Sequence, residues 1–228
     1  MWKNRHEEII KLFLKELNKS TDTFVLKGGT ALKQCYGLDR FSEDIDLDAS
    51  VKQNIINHVK RFADKYHFVC NITKDTTTEK RCMLHYGNEE HPLKIEASYR
   101  ATEIRENSTI VKDGIRVYKI NTLAGQKSTA YSKRDKIRDL YDLSFIVKNY
   151  YADLTDDIKD VITDAVFQKG IEQCDYVIKT QPDPLIDEEK LYNDFLEMYD
   201  KLGLIREQKP KAKLVVKHRE PDGKGLCR

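Results

Sequence analysis

The stretch DIDLDAS, residues 44–50, alternates acidic and apolar side chains with a period of two. That period puts Ile45 and Leu47 on the core face of a strand and gathers Asp44, Asp46 and Asp48 on the other. Just upstream, TFVLK reads as a short buried strand that Gly28 and Gly29 end. Thr30 is placed to cap the helix that follows, ALKQCYG, which stops at Gly37. A strand, a glycine turn, a helix and an acidic strand in one short segment require a sheet with helices packed on it.

The rest of the chain extends this α+β pattern. Ile9, Ile10, Phe13, Leu14 and Leu17 recur at helical spacing near the N-terminus, and Glu43 falls on the core-side parity where the acidic strand begins. A helix is expected over VKQNIINHVKRFADKY, then strands over HFVCNIT, EKRCMLHYG, PLKIEASYR and GIRVYKI. From Asn121 the periodicity changes, and four segments read as helices of 12 or more residues: NTLAGQKSTAYSKR, KIRDLYDLSFIVKNY, TDDIKDVITDAVFQ and DEEKLYNDFLEMYDKL. The expected organisation is a strand-rich domain over 1–120, a helical bundle over 121–205 and a mobile basic tail over 206–228.

Charge is unevenly spread. Residues 112–148 hold nine basic and four acidic side chains, residues 153–200 four and fourteen, and residues 207–228 seven and three. The two basic blocks suit a polyanion, or else they offset the acidic helices. No run of 18 apolar residues spans a membrane, and the polar start MWKNRHEEII is not a secretory leader, so a cytoplasmic protein is expected. The five cysteines (Cys35, Cys70, Cys82, Cys174 and Cys227) show no C-x-x-C spacing and read as reduced thiols rather than a zinc site or disulfide framework. The six histidines show no triad or metal spacing.

Chemistry concentrates at the acidic strand. Asp44 and Asp46 project from one face roughly 6–7 Å apart along it. A hard divalent cation relieves their repulsion, and such cations bind one or two carboxylates together with substrate phosphates. Acids on an open strand face are also simply solvated. The glycine turn ahead of a helix offers free backbone N–H groups and the positive helix end to an anion, although the Walker sequence is absent and GGT alone is equally a tight turn. Glu96, on an alternating strand and sharing its face with Lys94 and Ser98, is available as a third carboxylate or as a Lys-paired surface acid. Arg40 suits either a phosphate contact or a salt bridge. Lys127, Arg138, Asp139 and Asp142 taken singly are ordinary helix-surface residues.

Together these residues carry a resemblance. KGGTALKQCYGLDRFSEDIDLD resembles the first motif of the AbiEii-type nucleotidyltransferases, a toxin family that includes the MenT toxins and belongs to the DNA polymerase β-like nucleotidyltransferase superfamily. LKIEAS resembles its third-carboxylate strand, and LAGQKSTAYSKRDKIRDLYDLSFI its downstream Lys and Arg-Asp-x-Tyr-Asp-Leu motifs. The resemblance spans roughly residues 20–150. It implies a polymerase β-like mixed sheet with helices followed by a C-terminal helical bundle. It also implies transfer of a nucleotidyl group from an NTP, with Mg²⁺ or Mn²⁺, to an RNA such as the 3′ end of tRNA, by a toxin paired with an antitoxin.

Carried onto this chain, Gly28, Gly29 and Thr30 would meet the triphosphate, Ser42 would supply a hydroxyl at the phosphate or the metal, and Asp44, Asp46 and Glu96 would meet the metal. Glu96, where family members often have Asp, could instead serve as base to the attacking hydroxyl. Lys127 would neutralise the triphosphate. Asp139, with Asp142 second, would complete the nucleotide site and orient Lys127 or Arg138. Transfer onto a protein hydroxyl would use the same residues, whereas a non-catalytic nucleotide- or RNA-binding module has no need of two metal carboxylates.

Overall fold

The computed structural model describes residues 2–50, 53–87, 90–100 and 104–205. The expected basic tail, 206–228, lies outside the described residues. Helix α1 (Trp2–Ser20) buries Ile9, Ile10, Phe13, Leu14 and Leu17, the stripe its spacing predicts, and adds His6. Strand β1 (Phe24–Lys27) runs directly into α2 (Gly28–Tyr36), then come β2 (Ile45–Ala49) and α3 (Ile55–Tyr66). Strands β3 (Val69–Asp75), β4 (Glu79–His85), β5 (Leu93–Ser98), β6 (Thr109–Lys112) and β7 (Ile115–Tyr118) follow. Five helices complete the described chain: α4 (Ile120–Lys133), α5 (Ile137–Tyr150), α6 (Asp156–Lys169), α7 (Glu172–Thr180) and α8 (Glu188–Lys201).

The strands form one mixed sheet in the order β3-β4-β5-β2-β1-β7-β6. The acidic strand β2 lies inside it, antiparallel to β1 and parallel to β5, with Asp46 opposite Lys27 on one side and Glu96 on the other. β1 and β7 are also parallel, so the two central crossovers carry helices. One continuous cluster of buried apolar side chains runs from Ile9 on α1 through the sheet to Leu202 after α8. The same cluster takes in α4 and α5, which pack against each other and against α6 and α8. Among the described residues, no helix is long and apolar enough to cross a membrane.

Three details differ from the sequence reading. Thr30 does not cap α2: the helix begins at Gly28, Lys27 takes the cap position without a side-chain bond, and Thr30 is 2% exposed inside the first turn. The positive φ of 75° at Gly28 is the reason, because it turns the chain straight from β1 into helix, a conformation that glycine adopts freely. Strand β6 and the nine-residue α7 were not foreseen, being short and weakly periodic. Glu43 is not directed at the core. It lies before β2 and pairs with Arg138 at 3.3 Å.

Candidate active site

The two glycines face different groups. A Cβ on Gly28 would sit 3.2 Å from the Asp46 Oδ2, and one on Gly29 would sit 2.6 Å from Arg40 Nη2 and 3.0 Å from Ser42 Oγ. The first turn of α2 is thus wedged between the acidic strand and a buried guanidinium, and only bare Cα atoms allow that approach. The α2 cap supplies no side chain to the first N–H groups, so the positive helix end remains available to an anion. Thr30 and Ser42 brace this turn from beneath. Their hydroxyls bond each other at 2.8 Å, and Thr30 Oγ1 also donates to the Asp44 carbonyl. On the far side of the same loop, His6 Nε2 donates to the Glu43 carbonyl at 2.7 Å while its Nδ1 is hydrogen-bonded to the Tyr86 hydroxyl. Helix α1 therefore pins the chain just ahead of Asp44.

Asp44, Asp46 and Glu96 share one sheet face, and their charges are already partly met. Lys94 Nζ lies 2.6 Å from Asp44 Oδ2, and Arg81 Nε donates to Glu96 Oε2 at 2.7 Å. Among the described residues, Asp46 forms no such ion pair. Burial pushes its carboxyl above the usual aspartate range, and the nearby charges of Asp44 and Glu96 add to this while Lys94 and Lys27 oppose it. Asp48, one step further along β2, is withdrawn from the cluster. It is buried, accepts from Lys27 Nζ at 2.6 Å and from the Tyr118 hydroxyl at 3.0 Å, and holds Lys27 beside the glycine turn.

The helical part closes the other side. Asp142 on α5 is fully buried and accepts from Arg40 Nε at 2.7 Å and Arg40 Nη2 at 2.8 Å, a bidentate pair. Lys127 Nζ on α4 reaches the same carboxylate at 2.5 Å and stands 3.8 Å from Asp139 Oδ1. Burial alone would push the Asp142 carboxyl up, but Lys127 and Arg40 together hold it below the usual range. Arg40 is thus a salt-bridge partner, and Asp142 ties α5, α4 and the loop before β2 into one unit. Asp139 is held by Arg134, with Nε at 2.5 Å and Nη2 at 3.0 Å. Beside it opens a cleft of about 500 Å³ whose rim includes Arg134, Lys136, Arg138, Asp139 and Gln181. Arg138 is turned to Asp183 at 2.6 Å and to Glu43.

The donor set suits a hard divalent cation, being all oxygen and lying on one face. As arranged, no three acidic, His or Cys side chains among the described residues converge closely enough to hold a metal ion. Asp44 and Glu96 are held instead by Lys94 and Arg81. The sequence reading noted Lys94 only as a face-sharing neighbour of Glu96. Arg81 and the Arg40–Asp142 pair, which joins residues 102 apart, carry no short-range signal at all.

The family described as nucleotidyl transferase AbiEii toxin, type IV toxin–antitoxin system, matches residues 12–210. The chain belongs to this AbiEii family. It is accordingly an enzyme of the nucleotidyltransferase class, with an α+β fold of that kind. Among solved structures, JHP933 from Helicobacter pylori is similar over 90% of this chain and 94% of its own, with 30% identity and a TM-score of 0.71. A putative nucleotidyltransferase from H. pylori is similar over 91% of this chain and 99% of its own, at 30% identity and a TM-score of 0.70. MenT4, a nucleotidyltransferase toxin from Mycobacterium tuberculosis, shares the fold at 15% identity and a TM-score of 0.51, over 90% of this chain and 94% of its own. No protein of curated function matches in sequence.

Proposed function

We propose that this AbiEii-family chain transfers an NMP from an NTP to the 3′ hydroxyl of an RNA, a tRNA, and acts as the toxin of a toxin–antitoxin pair with a cognate antitoxin as partner. The observation that carries the reading is the opposition of the Asp44–Asp46–Glu96 face to the uncapped α2 turn at Gly28 and Gly29, with Lys127 held behind it by Asp142. Acids on one side and anion-binding groups on the other match the two ends of a cation-bound triphosphate.

In this reading, the N–H groups of Gly28 and Gly29 and the Lys127 ammonium bind and orient the triphosphate, with Asp139 and Asp142 positioning Lys127. Thr30 and Ser42 act by holding the turn, since their hydroxyls bond each other. Asp44, Asp46 and Glu96 would hold Mg²⁺ or Mn²⁺, which when bound supplies Lewis-acid charge at the acceptor hydroxyl and the phosphates. The acceptor oxygen bonds to the α-phosphorus, the bond to the β-phosphate bridging oxygen breaks, and pyrophosphate leaves. The hydroxyl proton passes to water, or to Glu96, in register beside Asp46, where Glu96 serves as base instead of ligand. The sheet portion, 1–120, supplies the acids and the turn, and the helical portion, 121–205, supplies Lys127. The cleft rimmed by Arg134, Lys136 and Arg138 suits an RNA backbone, read without regard to sequence. A tRNA acceptor places the action in the cytoplasm.

The test incubates the purified chain with total RNA, each labelled NTP in turn, and Mg²⁺. Label on tRNA-sized RNA, abolished together with toxicity in Asp46→Ala, is the expected result. Label on protein would replace the acceptor. No label from folded protein would refute transfer and leave a binding module.

A further inference from the structure

The carboxylate face carries built-in cations beside its acids: Lys94 at Asp44, Arg81 between Glu96 and Glu79, and Lys27, in register with Asp46 and paired with Asp48. Of Asp44, Asp46 and Glu96, Asp44 is met by Lys94 and Glu96 by Arg81, and Asp46 alone of the three forms no ion pair among the described residues. These cations are built in by the sheet rather than attached at its rim. Lys94 lies on β5 two residues before Glu96, so both project from one face, and the β2–β5 register sets Glu96 against Asp46. Arg81 is directly opposite Glu96 across the β4–β5 ladder. The Lys94 charge acts first on Asp44 and then on Asp46 and Glu96. Its side chain is 29% exposed, so solvent screens the attraction only partly.

Two of the three carboxylates are thus already engaged by cations that the sheet itself supplies. From this arrangement we infer that the Lys94 ammonium is a resident cation of the active-site carboxylates, filling the place of a second metal ion and competing with the first for Asp44. The inference deepens the transfer reading and rests on it for the identity of the site, but it concerns cation binding and not turnover. It gives Lys94 a positioning and selectivity role: the cluster admits one divalent cation, and only as Lys94 gives up Asp44.

The test is a titration of the metal-free full-length protein with Mn²⁺ alone, followed by electron paramagnetic resonance of the free ion. The wild type is expected to bind a single equivalent. Lys94→Met, which keeps the aliphatic stem and removes the charge, is expected to bind Mn²⁺ about tenfold or more tightly, since unit charges a few ångströms apart near a protein surface interact strongly. Lys94→Arg is expected to stay within about threefold of the wild type, since the charge is retained. In chelator, Lys94→Met is expected to melt below the wild type and to regain more on adding Mn²⁺. Lys94→Gln repeats the series if the methionine variant does not fold.

Two equivalents on the wild type, an affinity unchanged on removing the charge, or binding by neither protein would each overturn the inference. Undiminished Mn²⁺ binding in Asp46→Asn would do so too, because the ion would then sit elsewhere. Nucleotide transfer is not measured in any arm, so a protein that labels no RNA can still support the inference, and one that labels RNA can still refute it.

Discussion

Replacing Asp142 with alanine tests the idea that a buried carboxylate, remote from the acidic strand in sequence, holds the site together. Its side chain is fully buried and bridges Arg40, whose side chain is 4% exposed, and Lys127, at 12%. Removing it leaves two positive groups facing each other in a poorly solvated space. Lys127 can turn to Asp139, already 3.8 Å away. Arg40 keeps only the Phe41 carbonyl, which it meets at 3.0 Å. Removing one partner of a buried pair costs roughly 3–5 kcal/mol, and the alternative open to Lys127 places this case toward the lower end. For a chain of this length each kcal/mol moves the melting temperature by about 2–4 °C, so a fall of roughly 6–16 °C is expected by circular dichroism.

The pH dependence has a definite sign. The folded carboxyl lies below its ordinary value of 3.8, so its stabilisation is present above that value and is lost as pH falls through the lower folded one. The gap between wild type and Asp142→Ala should therefore persist from neutral pH to about pH 4 and close only in stronger acid. The companion double variant Arg40→Met with Asp142→Leu removes both charges and fills the space. It should recover most of the lost stability but not transfer activity, because Lys127 is no longer oriented. If Asp142→Ala melts within about 2 °C of the wild type, or the apolar pair is no better than the single variant, the buried-bridge argument is wrong.

Two further outcomes follow from the glycine turn and the acidic strand. Gly29→Ala would place its Cβ 2.6 Å from Arg40 Nη2, which its two bonds to Asp142 prevent from yielding, so a loss of about 1–3 kcal/mol in urea unfolding is expected. Adding Arg40→Ala should make the double variant cost less than the sum of the two singles. Asp46→Asn should raise the melting temperature in chelator at pH 7 while abolishing transfer. The Asp46 carboxyl is raised by burial and by Asp44 and Glu96, so its contribution is fully present below the ordinary 3.8 and is lost as pH rises through the raised folded value. The difference from wild type should accordingly vanish below pH 3.8, as a melting series across pH would show.

Local order in this protein was legible because its periodicities are strong. The α1 stripe, the alternation of β2 and β5, and four helices of 14 residues each all follow from side-chain spacing, and so does the shared face of Asp44 and Asp46. The short β6 and α7 were not, since neither is long enough for a period to show. What the sequence could not determine is which charge meets which. Arg40 with Asp142, Arg81 with Glu96, and Lys94 with Asp44 depend on strand register and on how α5 seats against the loop before β2. Those placements are set by burial of one continuous apolar core, a force without direction or sequence range, and only then do the charged groups find the partners that their new surroundings demand. Even Thr30 changed role for that reason: packing drew it beneath the turn it had been expected to cap.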